Sequence, residues 1–145
     1  MSDEKVDREQ LQAFLQHAPF HQFLRMEIDE VDADAQRLVL RLPFRREYQR
    51  MQEVPQIHGG PIAALIDIAG TYVIWAVLGQ GVPTINLRID YLRPAVDTGL
   101  RATATVRRAG RTVALVDIDV HDDRGRLVAV GRGSYGTQST QGASR

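Results

Sequence analysis

At 145 residues, the chain is sized for one domain that can bury a core without covalent staples. Its 18 Lys and Arg balance 18 Asp and Glu, which argues against a nucleic-acid binder relying on bulk positive charge. The lack of cysteine excludes a disulfide framework, a thiolate zinc site and a cysteine nucleophile. With 43% hydrophobic and 25% charged residues the composition is that of a globular domain, and the N-terminal MSDEKVDREQ has no apolar stretch of the secretory kind. A soluble, cytoplasmic, single-domain protein spanning 1–145 is the expectation.

Residues 1–8 are almost wholly polar and are expected to fray, and 139–145, reading STQGASR, are expected to be disordered. No linker or internal repeat lies between them. Leu11, Phe14, Leu15 and Ala18 share one helical face until Pro19 breaks the pattern, and Phe20, Phe23 and Leu24 predict a second short turn. Met26–Val31 and Arg37–Leu42 read as a hairpin around Ala33-Asp34. Residues 43–57 lack a period and read as a long loop. The apolar run Pro61–Leu78 predicts a helix, with proline at its first position and Gly79 just past its end.

Four strands follow. Thr84–Leu92 alternates, with Ile85, Leu87, Ile89 and Tyr91 on one face and Thr84, Asn86, Arg88 and Asp90 on the other. Leu100–Arg107 repeats the pattern, and Val113–His121 and Leu127–Tyr135 flank a turn at Asp122–Gly125. Consecutive strands joined by short turns predict an antiparallel sheet, hence an α+β fold. The long helix is apolar almost all round and must be covered on every side, which a strongly curved sheet would do. A membrane span is the competing reading. It fails on Asp67, because a carboxylate at mid-bilayer costs about 3 kcal/mol even on a lenient scale.

Asp67 is the only charge in that helix, with Thr71 one turn further on the same face. An unpaired carboxylate is expensive to bury, so it either accepts structural hydrogen bonds or acts chemically. His58-Gly59-Gly60 favours the second reading. It places unpaired N–H groups and the positive end of a helix dipole where a carbonyl oxygen could become an oxyanion. From Gly59 or Gly60 to Asp67 is about 10–12 Å along a helix axis, too far to serve one reacting group. Two antiparallel copies of the helix would bring Asp67 of one beside the glycines of the other. An enzyme using both features is therefore expected to be a homodimer with shared sites.

His58-Gly59-Gly60, Asp67 nine positions after the histidine, and the strand TINLRIDYLRP over Thr84–Pro94 resemble the hotdog-fold acyl-CoA thioesterases. The resemblance is to the phenylacetate-pathway and 4-hydroxybenzoyl-CoA types and runs from about Phe20 to Tyr135. It implies a sheet wrapped round a central helix, and hydrolysis of an acyl-CoA substrate in a homodimer or dimer of dimers. No cofactor is implied beyond the coenzyme A of the substrate. Asp67 matches the catalytic carboxylate, the Gly59 N–H the thioester carbonyl donor, and His58 the motif histidine. Gln52 matches an Asn or Gln position near the carbonyl, Thr71 a hydroxyl that orients water in some members, and Thr84 a Ser/Thr that assists the carboxylate. Gly60 falls in the same donor loop. Two departures stand out. Glu53-Val54-Pro55-Gln56 replaces the usual Asn-x-x-Gly before the histidine, and Asn86 stands where Asp is frequent.

Arg107, Arg108 and Arg111 form a basic turn between two strands, either a solvated hairpin or, as the resemblance implies, a contact for coenzyme A phosphates. Arg93 is a further cation of this kind. His17, His21 and His121 lack metal-ligand spacing. Two alternatives to the thioesterase reading are a hotdog dehydratase or hydratase and a non-catalytic acyl-CoA-binding module.

Overall fold

The computed structural model describes residues 5–138. Two short helices, α1 (Arg8–His17) and α2 (Pro19–Leu24), precede a hairpin of β1 (Glu27–Asp32) and β2 (Arg37–Leu42). A single 3-10 turn at Arg46–Tyr48 leads to the long helix α3 (Gly59–Leu78). Four strands complete the chain: β3 (Thr84–Tyr91), β4 (Leu100–Ala109), β5 (Val113–Asp122) and β6 (Leu127–Gly136). They form one antiparallel sheet in the order β1-β2-β4-β5-β6-β3, so β1 and β3 are its edges.

The expected α+β architecture is present, and the sheet packs the inward residues of β2, β4, β5 and β6 against α3. Leu38, Leu40, Leu100, Ala102, Ala104, Val116, Ile118 and Val120 are all fully buried on that face. They meet Leu65, Ile66, Ala69, Val73 and Ala76 of the helix. α3 is thus a core helix, although its length and apolarity would suit a membrane span. The sheet does not cover it completely. Ala63, Ala64, Asp67, Thr71 and Trp75 are only half-buried and Leu78 is exposed, a stripe at helical spacing.

Three local expectations are corrected. The polar start is not frayed up to residue 8. Asp7 caps α1 by accepting from the Gln10 N–H at 2.8 Å, while the Gln10 side chain accepts from the Asp7 N–H at 3.0 Å. The remainder of the two expected disordered ends, 1–4 and 139–145, lies outside the described residues. α3 begins at Gly59, not Pro61, because His58 supplies the cap. Finally, the alternation predicted for β3 is broken by a register shift between Thr84 and Asn86.

Candidate active site

The site begins with the cap of α3. His58 has extended backbone angles, and its Nδ1 accepts from the Gly60 N–H at 2.9 Å. Accepting at Nδ1 requires the neutral ring with its proton on Nε2. One glycine donor is therefore satisfied within the chain, while the Gly59 N–H has no hydrogen-bond partner among the described residues. A helix N-terminus with an outward, unpaired N–H is a donor for a developing oxyanion. Tyr91, at the end of β3, fixes this turn by donating its hydroxyl to the Gly59 carbonyl at 2.9 Å. Its ring packs close to this turn, where a Cβ on Gly59 would lie 3.3 Å from the exposed Tyr91 side chain, a contact that a few tenths of an ångström of ring movement relieves.

A cleft of about 640 Å³ opens at this end of α3. His58, Gly59, Gly60, Ile62 and Ala63 form one wall, and Tyr91, Leu92, Arg93, Pro94 and Ala95 another. Arg50 completes it. Neither Arg50 nor Arg93 is ion-paired with a carboxylate among the described residues, so the cleft has an apolar floor and two available guanidinium groups.

Asp67 sits two turns further along the same helix, half-buried on the uncovered stripe. Thr84 Oγ1 donates to Asp67 Oδ1 at 2.6 Å. Periodicity alone puts Thr84 on the opposite face from Leu87. The structure reverses this: the register shift pairs Thr84 with Tyr135 and Leu87 with Gly133, so all four residues face the helix side. Thr71 does not touch the carboxylate. Its hydroxyl donates instead to the Asp67 main-chain carbonyl at 3.2 Å.

The other sequence-predicted residues divide between two ends of the sheet. Gln52 is not brought to the glycines. It is exposed at the tip of a loop whose stem closes through Arg50 N–H to Gln56 carbonyl at 3.0 Å, and it does not line the cleft. Within one chain Gln52 and the glycine cleft are therefore separate. Arg107 lies on the outer face of the sheet, beside Thr103, Asp119 and Arg132 and paired with Asp117 at 3.4 Å. Arg108 and Arg111 are exposed at the β4–β5 turn, beside Gly136 and hence at the Thr84 end of β3. Asn86 is exposed on edge strand β3, opposite Ser134. The glycines lie at the Tyr91 end. Sequence reasoning missed Arg50 and Tyr91; the strand ending in YLRP was the signal that could have brought Tyr91 forward with Arg93.

An antiparallel sheet around one long helix, with a glycine-rich helix start and a helix carboxylate, defines the hotdog class of acyl-thioester proteins. Residues 56–129 match the model of the thioesterase superfamily, and this chain belongs to that family. It is 27% identical over 139 residues to the medium/long-chain acyl-CoA thioesterase YigI of Escherichia coli (strain K12), covering 84% of this chain and 87% of that one. The acyl-coenzyme A thioesterase PaaI of the same strain is 39% identical over 80 residues, covering 52% and 54% of the two chains. A crystal structure from the thioesterase superfamily superimposes with a TM-score of 0.83 at 35% identity, over 89% of this chain and 96% of the other.

Proposed function

We propose that two copies of this chain hydrolyse acyl-CoA thioesters in sites built from both subunits. Thioester hydrolysis itself follows from the family; the division of labour between subunits rests on the geometry of this chain. The observation that carries it is the separation of the two chemical groups. The Gly59 N–H stands at the first residue of α3 and Asp67 eight residues on, about 12 Å apart along the axis. Each group has its own support, Tyr91 for the glycine and Thr84 for the carboxylate, at opposite ends of β3. A two-fold axis that sets two α3 helices antiparallel along their uncovered stripes brings each Asp67 to the other chain's glycines. The same operation places the Arg108–Arg111 turn of one subunit near the cleft of the other. It would also cover the exposed apolar edge at Ile85.

In that site the thioester carbonyl oxygen accepts from the Gly59 N–H, with the helix dipole adding positive potential. Asp67 of the partner subunit takes a proton from water as the water oxygen bonds to the carbonyl carbon. The C–S bond then breaks, and the coenzyme A sulfur leaves with a proton. Arg50 and Arg93 offer guanidinium groups to the phosphates of coenzyme A, which enters only as part of the substrate. The reading includes pairing of such dimers into a tetramer and action in the cytoplasm, which sedimentation and cell fractionation would check. Hydration or dehydration of the acyl chain is disfavoured by His58, whose Nδ1 is occupied by the helix cap.

The test is release of free thiol from phenylacetyl-, benzoyl-, hexanoyl- and decanoyl-CoA, with enoyl-CoA absorbance followed in parallel. Thiol release from at least one substrate is expected. Absorbance change without thiol release would establish a hydratase, and binding without either would establish a non-catalytic module. Single-turnover hydrolysis in ¹⁸O-water then separates water activation from direct attack by Asp67, which would label the side chain.

A further inference from the structure

Tyr135 is fully buried, yet its hydroxyl is not spent on packing alone. It donates to the main-chain carbonyl of Asp67 at 3.3 Å. The space for it is cut out of the chain by two glycines. A Cβ on Gly70 would lie 1.9 Å from Tyr135 Oη, and one on Gly133 2.5 Å from the same atom. Real Cβ atoms do not make such contacts, so both positions require glycine while the tyrosine keeps this pose. Gly70 lies one turn beyond Ile66 on α3, and Gly133 two residues before Tyr135 on β6; two elements are hollowed for one hydroxyl.

The strand register completes the arrangement. Tyr135 is the direct cross-strand partner of Thr84, and residues opposite each other in an antiparallel pair project to the same face. One strand pair therefore grips Asp67 twice, Thr84 at its carboxylate and Tyr135 at its backbone. With Thr71 on the same carbonyl, the helix is held in axial register against the strand that carries Thr84. Burial and the nearby Asp67 charge both hold the Tyr135 phenol above the usual tyrosine range, so it remains a donor throughout the working pH.

We infer that Tyr135 is a positioning residue, which together with the space left by Gly70 and Gly133 sets where the Asp67 carboxylate points. The inference rests on the reading of Asp67 as the group that acts on the thioester. It is tested by kcat, KM and Tm of Tyr135→Phe, Thr84→Val, the double variant, and Tyr135→Phe combined with Asp67→Asn. Phenylalanine keeps the ring in its cradle and removes only the hydroxyl. The expected result is a kcat about fivefold lower with KM unchanged, the size of one neutral hydrogen bond. The combined loss with Thr84→Val should depart from the product of the single losses, because both residues act on one group. In the Asp67→Asn background Tyr135→Phe should cost nothing further, an outcome a merely structural role would not produce. Gly133→Ala, which crowds the hydroxyl while keeping it, should reproduce the kcat loss. A Tyr135→Phe enzyme with a lower Tm and normal kcat would overturn the inference, as would an equal loss in both Asp67 backgrounds. Near-normal turnover of Asp67→Asn alone would instead overturn the reading of Asp67, so the two failures are distinguishable.

Discussion

Thr84 Oγ1 and Asp67 Oδ1 are 2.6 Å apart, linking the first residue of an edge strand to the only charge on the central helix. A hydroxyl donating to a carboxylate is a charge-assisted bond and fixes which oxygen remains available to water. Thr84→Val is expected to lower kcat about tenfold with little change in KM, since shape is kept and only the bond is lost. Thr84→Ser should restore most of the activity. Steady-state kinetics on a single acyl-CoA substrate checks both, and a kcat for Thr84→Val within about twofold of wild type would remove Thr84 from the site.

Asp67→Asn retains size and hydrogen-bonding capacity but cannot take a proton. Turnover should fall about a hundredfold or more while coenzyme A binding persists, because the groups offered to coenzyme A are Arg50 and Arg93 and the substitution leaves both in place. Calorimetric titration with coenzyme A, beside the kinetics, separates a lost base from a damaged fold.

Arg50 and Arg93 face the same cleft without carboxylate partners among the described residues. Arg93→Gln and Arg50→Gln should each raise KM for acyl-CoA about twofold to fivefold and leave kcat nearly unchanged, the scale of an exposed charge contact. Added salt should raise the wild-type KM towards the variants' values. A KM of the variants equal to wild type at low salt would move the phosphate contact elsewhere, with Arg108 and Arg111 of the partner subunit the next candidates.

The fold was legible because its signals are local. Period-two alternation marked β4, the turn at Asp122–Gly125 marked the hairpin of β5 and β6, and a continuous apolar run ending at Gly79 marked α3. The bulge at Thr84 was not legible, because it depends on how β3 pairs with β6, whose residues lie far away in sequence. It moved Thr84 from the face that periodicity assigned to the face where it meets Asp67. For Gln52, spacing from the histidine gave a position by resemblance, and the single chain holds it exposed in a loop closed by the Arg50 N–H on the Gln56 carbonyl. Arg50 was invisible because nothing in its neighbours marks a cleft formed by strand and helix ends brought together in the tertiary structure.

Asp122 offers a test of the scaffold away from the chemistry. It is buried at the β5–β6 turn, and burial pushes its carboxyl up. Bonds from the Arg126 N–H, the Arg126 guanidinium and the Arg124 N–H outweigh that and hold it below its ordinary value. A carboxyl lowered on folding stabilises the protein fully above its unfolded value and loses that contribution as pH falls through the folded value. Wild type should therefore lose stability in urea as pH drops from 5 to about 2, and Asp122→Asn should be less stable at pH 7 by roughly 1–3 kcal/mol with a flatter acid limb. Parallel acid limbs for the two proteins would contradict this assignment.

The shared site is tested most directly by mixing two inactive chains. Asp67→Asn lacks the carboxylate. Gly59→Pro lacks the donor N–H, and proline is tolerated at the first helical position, where the extended backbone of His58 already suits a following proline. Each variant alone should be nearly inactive. After subunit exchange at equal concentrations half the dimers are mixed, and each mixed dimer holds one site with both wild-type groups and one with neither. Activity should then recover to about a quarter of wild type. No recovery, with exchange demonstrated by mass spectrometry of the mixed dimers, would show that Gly59 and Asp67 of a single chain make the site and that the shared-site account is wrong.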